Sequence, residues 1–142
     1  MTERASTSAH LRTREDHATE LAEDYVEAIA ALSDGDGGCR VRDLAAHFGV
    51  THVTVIGAIH RLERDGLVET EPYKPVRLTA RGARLARVCR ERHETVYSFL
   101  LAIGVDPETA AKDAEGIEHH VSKATLERFR RFASERADKS QR

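Results

Sequence analysis

Tryptophan is missing from this 142-residue chain, and aromatic residues together make up only 5% of it. Proline is almost as scarce, at three residues, and the one glycine-rich run is DGDGG at 34–38. With 32% of its residues charged, the chain has the composition of a soluble, helix-rich protein. Long apolar runs are lacking as well. The longest, around Phe99 to Val105, is too short to span a bilayer, and the opening stretch MTERASTSAHLRTRE has no apolar core resembling a signal peptide. A cytoplasmic protein with no membrane partner is therefore expected. The only two cysteines, Cys39 and Cys89, have no CxxC spacing, which excludes a disulfide framework and a zinc ribbon.

A surplus of positive charge is the last thing missing, since the net charge is −2. The total conceals an uneven layout. Residues 1–50 hold 5 Lys/Arg against 10 Asp/Glu (net −5), residues 51–92 hold 9 against 5 (net +4), and residues 93–142 hold 8 against 9 (net −1). Such asymmetry fits a basic binding face flanked by acidic segments.

Residues 1–17 are polar without a sustained apolar period and read as a flexible tail. Leu21, Tyr25, Ile29 and Leu32 then recur at helical spacing until DGDGG interrupts them. Within VRDLAAHFGVTHVTVIGAIHRLERDGLV (41–68), Leu44, Ala45 and Phe48 mark a short helix and Gly49 a turn. Thr51 or Thr54 opens a second helix carrying Val55, Ile59 and Leu62. Two short helices joined by a glycine turn predict a helix-turn-helix. The stretch LVETEPYKPVRLT (67–79) alternates around a proline-flanked tip and predicts a β-hairpin wing. Residues 80–103 predict a long helix with the stripe Leu85, Cys89, Val96, Leu100 and Ile103, and a helix of that length in so small a protein calls for a second subunit to pack on. Asp106-Pro107 starts a further helix through His120, and Ser122 caps the last one. The expected fold is mostly α with a small β-hairpin wing. Its parts are a tail (1–17), an N-terminal winged helix-turn-helix (18–79) and a C-terminal helical dimerisation and metal-binding domain (80–142).

EGIEHH, 115–120, concentrates ionisable groups in that second part. On a helix Glu115, Glu118 and His119 share one face and can converge on an ion, while His120 points elsewhere. Asp24 and Glu27 stand beside the apolar stripe of the first helix, and His93 interrupts the stripe of the long one. Each has an ordinary reading too: a solvated acidic face, a hydrogen-bonded core histidine, a charged helix end. Together they offer four carboxylates and two imidazoles, more than one octahedral ion needs and enough for a pair sharing bridging carboxylates. Ligands of this type, with no thiolate, suit Mn2+ or Fe2+ better than structural zinc. On the basic side, Thr51, His52 and Thr54 lie where side chains reach base edges in a major groove. Arg61, Arg64, Tyr73, Lys74 and Arg77 are placed to meet phosphates.

Several of these motifs occur together in a known family. AEDYVEAI, VRDLAAHFGVTHVTV, RLERDGLVE, LTARGARLA, ERHETVYSFLLAIGV and DAEGIEHHVS, running from about Ala22 to Phe132, resemble the manganese transport regulators of the diphtheria-toxin-repressor superfamily. The resemblance implies a winged-helix DNA-binding domain, a helical dimerisation domain and a two-metal site at their junction, with Asp24, Glu27, His93, Glu115, Glu118 and His119 as ligands. Iron-responsive relatives carry Met and Cys where this chain has Asp24 and Glu115, which places it nearer the manganese branch. The DNA-reading helix departs from the pattern: Gly57 stands where many relatives have Lys, and Val53 where they often have Pro.

The resemblance thus implies a repressor of manganese uptake genes. As a homodimer it would bind an inverted-repeat operator in double-stranded DNA when about two Mn2+ per chain, with Fe2+ as a second candidate ion, neutralise the clustered carboxylates. Neither enzymatic activity nor a small organic substrate is expected. Two rivals remain: a winged-helix regulator sensing a small molecule or thiol oxidation at Cys39 or Cys89, and a dinuclear hydrolase, for which no separate nucleophile or acid–base residue is left over.

Overall fold

In the computed structural model the backbone is described for residues 2–33 and 35–141, and the side chains from residue 16 onward except 34, 36 and 142. The chain order is α1 (Thr2–Leu32), a 3-10 turn (Gly35–Gly37), α2 (Val41–Phe48), α3 (His52–Arg64), β1 (Val68–Glu69), β2 (Arg77–Leu78), α4 (Ala80–Ala102), α5 (Pro107–Ile117) and α6 (Lys123–Ser140). It is mostly helical with one small antiparallel hairpin. Its residues fall into two compact units, one up to Arg87 and one from Val88.

The first unit is built on α1 to α3. Tyr25, Val26 and Ile29 of α1, Leu44 and Ala45 of α2, and Val55, Ile59 and Leu62 of α3 form one buried cluster, closed by Leu67, Val68 and Val76 from the wing. Local chemistry sets the helix ends. Gly49 takes the left-handed conformation that stops α2, at φ +65°. Two residues on, the Thr51 side chain accepts from the Thr54 N–H at 3.2 Å and opens α3. In the wing Val68 pairs with Leu78 and Glu69 with Arg77. Cys39 adds a bridge to Val76 through two backbone hydrogen bonds of 2.8 Å. At the tip the Lys74 N–H donates to the Glu71 carbonyl at 3.1 Å, with Pro72 in the second turn position and Tyr73 third at φ +63°. That conformation normally favours Gly or Asn, yet the side chain here is a fully solvent-exposed phenol.

The start of α4 packs on the base of the wing through Gly82. A Cβ built on it would lie 2.0 Å from the Leu67 carbonyl oxygen, so glycine is the residue that lets helix and strand approach so closely.

The second unit packs Val96 and Leu100 of α4 against Ala110 and Ala114 of α5 and Leu126 of α6, with Phe99, Ile117 and Phe129 around them. Ala110 and Ala114 are both fully buried, and their small side chains suit close helix approach. Phe99 and Phe129 stack with ring centroids 3.9 Å apart. Asp106 caps α5, its Oδ2 accepting from the Thr109 N–H at 3.0 Å. Hydrogen bonds from Thr109 hold the Asp106 carboxyl below the usual range. Ser122 caps α6 in the same way.

Three expectations need correction. The first helix begins at Thr2, well before its apolar repeat starts; side chains before residue 16 lie outside the described residues. α5 ends at Ile117, not His120: His120 N–H turns back to the Ile117 carbonyl at 3.0 Å, and the chain is extended by Ser122 to start α6. Finally, Leu21, Leu32 and Ile103, expected in apolar stripes, are exposed.

Candidate metal centre and nucleic-acid interface

The end of α5 places EGIEHH across a helix terminus, so its ionisable groups diverge. Glu115, in the last turn, is exposed. Glu118, the residue just past the helix, is only 2% exposed, and its carboxylate lies between two imidazoles. Its Oε2 is 3.1 Å from His93 Nδ1, and its Oε1 is 3.4 Å from His119 Nε2. An ionised carboxylate taken out of water costs several kcal/mol unless it is matched by positive charge and hydrogen bonds, and here the matching partners are titratable imidazoles. Within the second unit the structure thus brings together His93, Glu118 and His119 and leaves Glu115 at the surface. The donor set is nitrogen and oxygen with no thiolate, which suits a hard to borderline divalent ion.

On α1, Asp24 and Glu27 are both half-buried beside the core residues Tyr25 and Val26. Two further acids there escaped the sequence reading. Glu20, one turn before Asp24, brings a carboxylate oxygen within 4.8 Å of one from Asp24, and Glu23 is buried at 8% exposure. The i, i+4 spacing of Glu20 and Asp24 was the available signal for the first. Hydropathy gives none for the second.

The cysteines have a different character. Both are buried and free of any disulfide. Burial, with the Asp43 carboxylate nearby, pushes the Cys39 thiol up, away from the thiolate that reacts with oxidants. Cys89 accepts from the Arg92 guanidinium at 3.3 Å.

The other candidate surface is the outer side of α3 and the wing. His52, Thr54, Arg61 and Arg64 are exposed on α3, and Tyr73, Lys74 and Arg77 on the wing. Two of these groups are already engaged. The Thr51 hydroxyl caps the helix and lies 3.0 Å from the Thr54 hydroxyl, and Lys74 Nζ is 2.7 Å from a Glu71 carboxylate oxygen. Gly57 faces open space, with nothing within 4 Å of a Cβ added to it. Gly57→Ala is therefore expected to stabilise the fold by about 1 kcal/mol, the helix-propensity difference, measured as a higher urea midpoint.

Residues 17–76 match the family described as "Iron dependent repressor, N-terminal DNA binding domain", and residues 79–139 match "Iron dependent repressor, metal binding and dimerisation domain". A "Transcriptional regulator MntR" from Escherichia coli is 48% identical over 128 residues, covering 90% of this chain and 83% of that protein. The chain belongs to the MntR family. Another member, an "HTH-type transcriptional regulator MntR" from Lysinibacillus sphaericus, is 37% identical over 111 residues, 78% of this chain and 80% of its own length. Among solved structures, a "Manganese-dependent transcriptional repressor complex with manganese" is 28% identical with a TM-score of 0.69, over 80% of this chain and 52% of that one. As an MntR-family protein, the chain is a metal-responsive DNA-binding repressor with a DNA-binding domain and a metal-binding dimerisation domain. Among the described residues no helix is long and apolar enough to cross a membrane.

Proposed function

We propose that this protein is a cytoplasmic, manganese-responsive repressor of manganese uptake genes. Residues 18–79 bind DNA, residues 80–142 dimerise and bind metal, and the homodimer recognises an inverted repeat in double-stranded DNA. The metal ligands are Asp24, Glu27, His93, Glu115, Glu118 and His119, holding about two Mn2+ per chain, with Fe2+ as a second candidate. The observation that carries this reading is the buried Glu118 carboxylate set between His93 and His119, in a chain whose other candidate ligands are carboxylates. The names of the similar regulators and of the manganese complex add support. Bound Mn2+ supplies positive charge that offsets the mutual repulsion of the carboxylates. The chain's own residues do the rest. Glu118, the two imidazoles and the carboxylates of α1 would supply the ligands, and the basic residues of α3 and the wing meet phosphate.

Titrating the apo-protein with Mn2+ while following the free-ion EPR signal is expected to show uptake of about two ions per chain. In parallel, affinity for duplex DNA is expected to be higher in saturating Mn2+ than in chelator, through a coupling of about 1–3 kcal/mol. Equal affinity under the two conditions would sink the reading. Regulation by thiol oxidation finds less support, since both thiols are buried.

A further inference from the structure

Resting on the reading of this chain as a DNA-binding repressor, we propose that the exposed arginines at the start of α4, Arg81, Arg84 and Arg87, form a separate DNA-holding ridge that takes backbone phosphates without regard to sequence. The motive is where the positive charge lies. Residues 51–79, which make up α3 and the wing, hold 4 Lys/Arg and 4 Asp/Glu and are neutral in sum, and one of those cations, Lys74, already pairs with Glu71 at 2.7 Å. Residues 80–92 hold 5 Lys/Arg and 1 Asp/Glu. The surplus charge of the middle of the chain thus belongs to α4. Affinity for DNA that does not depend on sequence comes from cations that displace counterions from phosphates, so a neutral reading head draws that affinity from elsewhere in the chain.

The geometry of α4 makes a ridge of these residues. Gly82 and Ala86 are buried against the first unit, with Leu85 partly so, while Arg81, Arg84 and Arg87 are exposed. Spaced by three residues, they run about 9 Å along the helix on the side away from the core. Arg81 is held in place by one donor, its Nη1 giving to the Asp65 carbonyl at 2.6 Å, and a guanidinium has further donors to offer. Among the described residues no acid lies within ion-pair distance of Arg84 or Arg87. One turn on, Arg90 pairs with Glu94 at 3.5 Å, and there the open row ends. The occupant is a polyanion and not a second protein, because protein interfaces centre on apolar surface and the ridge has only Ala83 and, at its far end, Val88 exposed beside the arginines. The planar guanidinium also matches phosphate geometry.

The test uses the full-length protein in saturating Mn2+, with one duplex selected by it from a random-sequence pool and one unrelated duplex of the same length, each bound over a series of salt concentrations. In Arg84→Ser/Arg87→Ser the slope of log affinity against log salt is expected to be shallower by about 3.6, four phosphates per dimer at about 0.9 each. Because phosphates carry no sequence information, affinity for the two duplexes should fall by the same factor, with Mn2+ uptake unchanged. Arg84→Lys/Arg87→Lys, which keeps the charge, should keep the slope. Lys123→Ser/Arg128→Ser removes the same charge from two exposed positions of α6 and should leave the slope as in the wild type. An unchanged slope in the serine variant would overturn the proposal, as would a loss confined to the selected duplex, a loss shared by the lysine variant, or an equal loss in the α6 control. A serine variant that alters self-association and leaves DNA binding untouched would overturn it in favour of a protein partner. If the wild type shows no Mn2+-dependent DNA binding, the repressor reading falls along with this one, whereas a normal wild type beside an indifferent serine variant removes only the inference.

Discussion

Glu118→Ala is expected to abolish the response of DNA binding to Mn2+. In saturating Mn2+ the variant should bind duplex DNA no better than the wild type in chelator, a loss of about 5- to 150-fold, the usual span of such couplings. The reason lies in position more than in the loss of one charge. Glu118 is buried, and its carboxylate lies within ion-pair distance of both His93 and His119. Removing it takes away a proposed ligand and leaves two imidazoles facing a void instead of a carboxylate. Because a buried residue also serves packing, Glu118→Gln is the sharper variant, keeping the volume and removing the charge. Free-ion EPR should show reduced Mn2+ uptake in both variants while circular dichroism shows the helices intact. Full uptake and full activation in Glu118→Gln would remove this residue from the metal centre. Glu115→Ala makes an instructive comparison, since its side chain is at the surface.

The second large effect concerns the fold. Gly82→Ala is expected to destabilise the protein by about 3 kcal/mol, the upper part of the usual range for overpacking. The added methyl would lie 2.0 Å from the Leu67 oxygen and 3.0 Å from its carbonyl carbon, and backbone yields less readily than the end of a side chain. That carbonyl also accepts the Thr79 N–H at 3.0 Å, so moving it disturbs the strand leading into α4. A urea unfolding curve with an unchanged midpoint would refute the prediction. The same chemical change thus has opposite expected signs at two glycines: it stabilises at Gly57, where the methyl meets nothing, and destabilises at Gly82, where it meets backbone.

Much of this architecture was legible because its signals are local. Asp106 and Ser122 read as helix caps from residue type and position and Thr51 as one of two candidates with Thr54; the side chains of Thr51, Asp106 and Ser122 each accept the backbone N–H three residues on. Gly49 read as a turn and adopts the left-handed conformation. The wing was visible in the alternation around Pro72 and Pro75. What was not legible depends on matters periodicity does not measure. The first half of α1 is polar all round and carries no apolar stripe to mark it. α5 stops at Ile117 without a local stop signal, the cue being the start of α6 a few residues later. In the candidate site, the residue types of Glu118, His93 and His119 were apparent, but nothing in the string separates buried Glu118 from exposed Glu115. That distinction comes from where the helix ends. Glu20 and Glu23 carry no mark in the string that separates them from a solvated acidic helix face.

The bridge between Cys39 and Val76 also bears on how the reading head is assembled. Its two hydrogen bonds join positions 39 and 76, so α2, α3, β1 and the tip of the wing lie within the loop they close, with β2 just beyond it. Contacts so far apart in sequence form late, after the intervening chain has given up its freedom. During synthesis Cys39 can therefore make this bridge only once Val76 has emerged, after all of α2, α3 and β1.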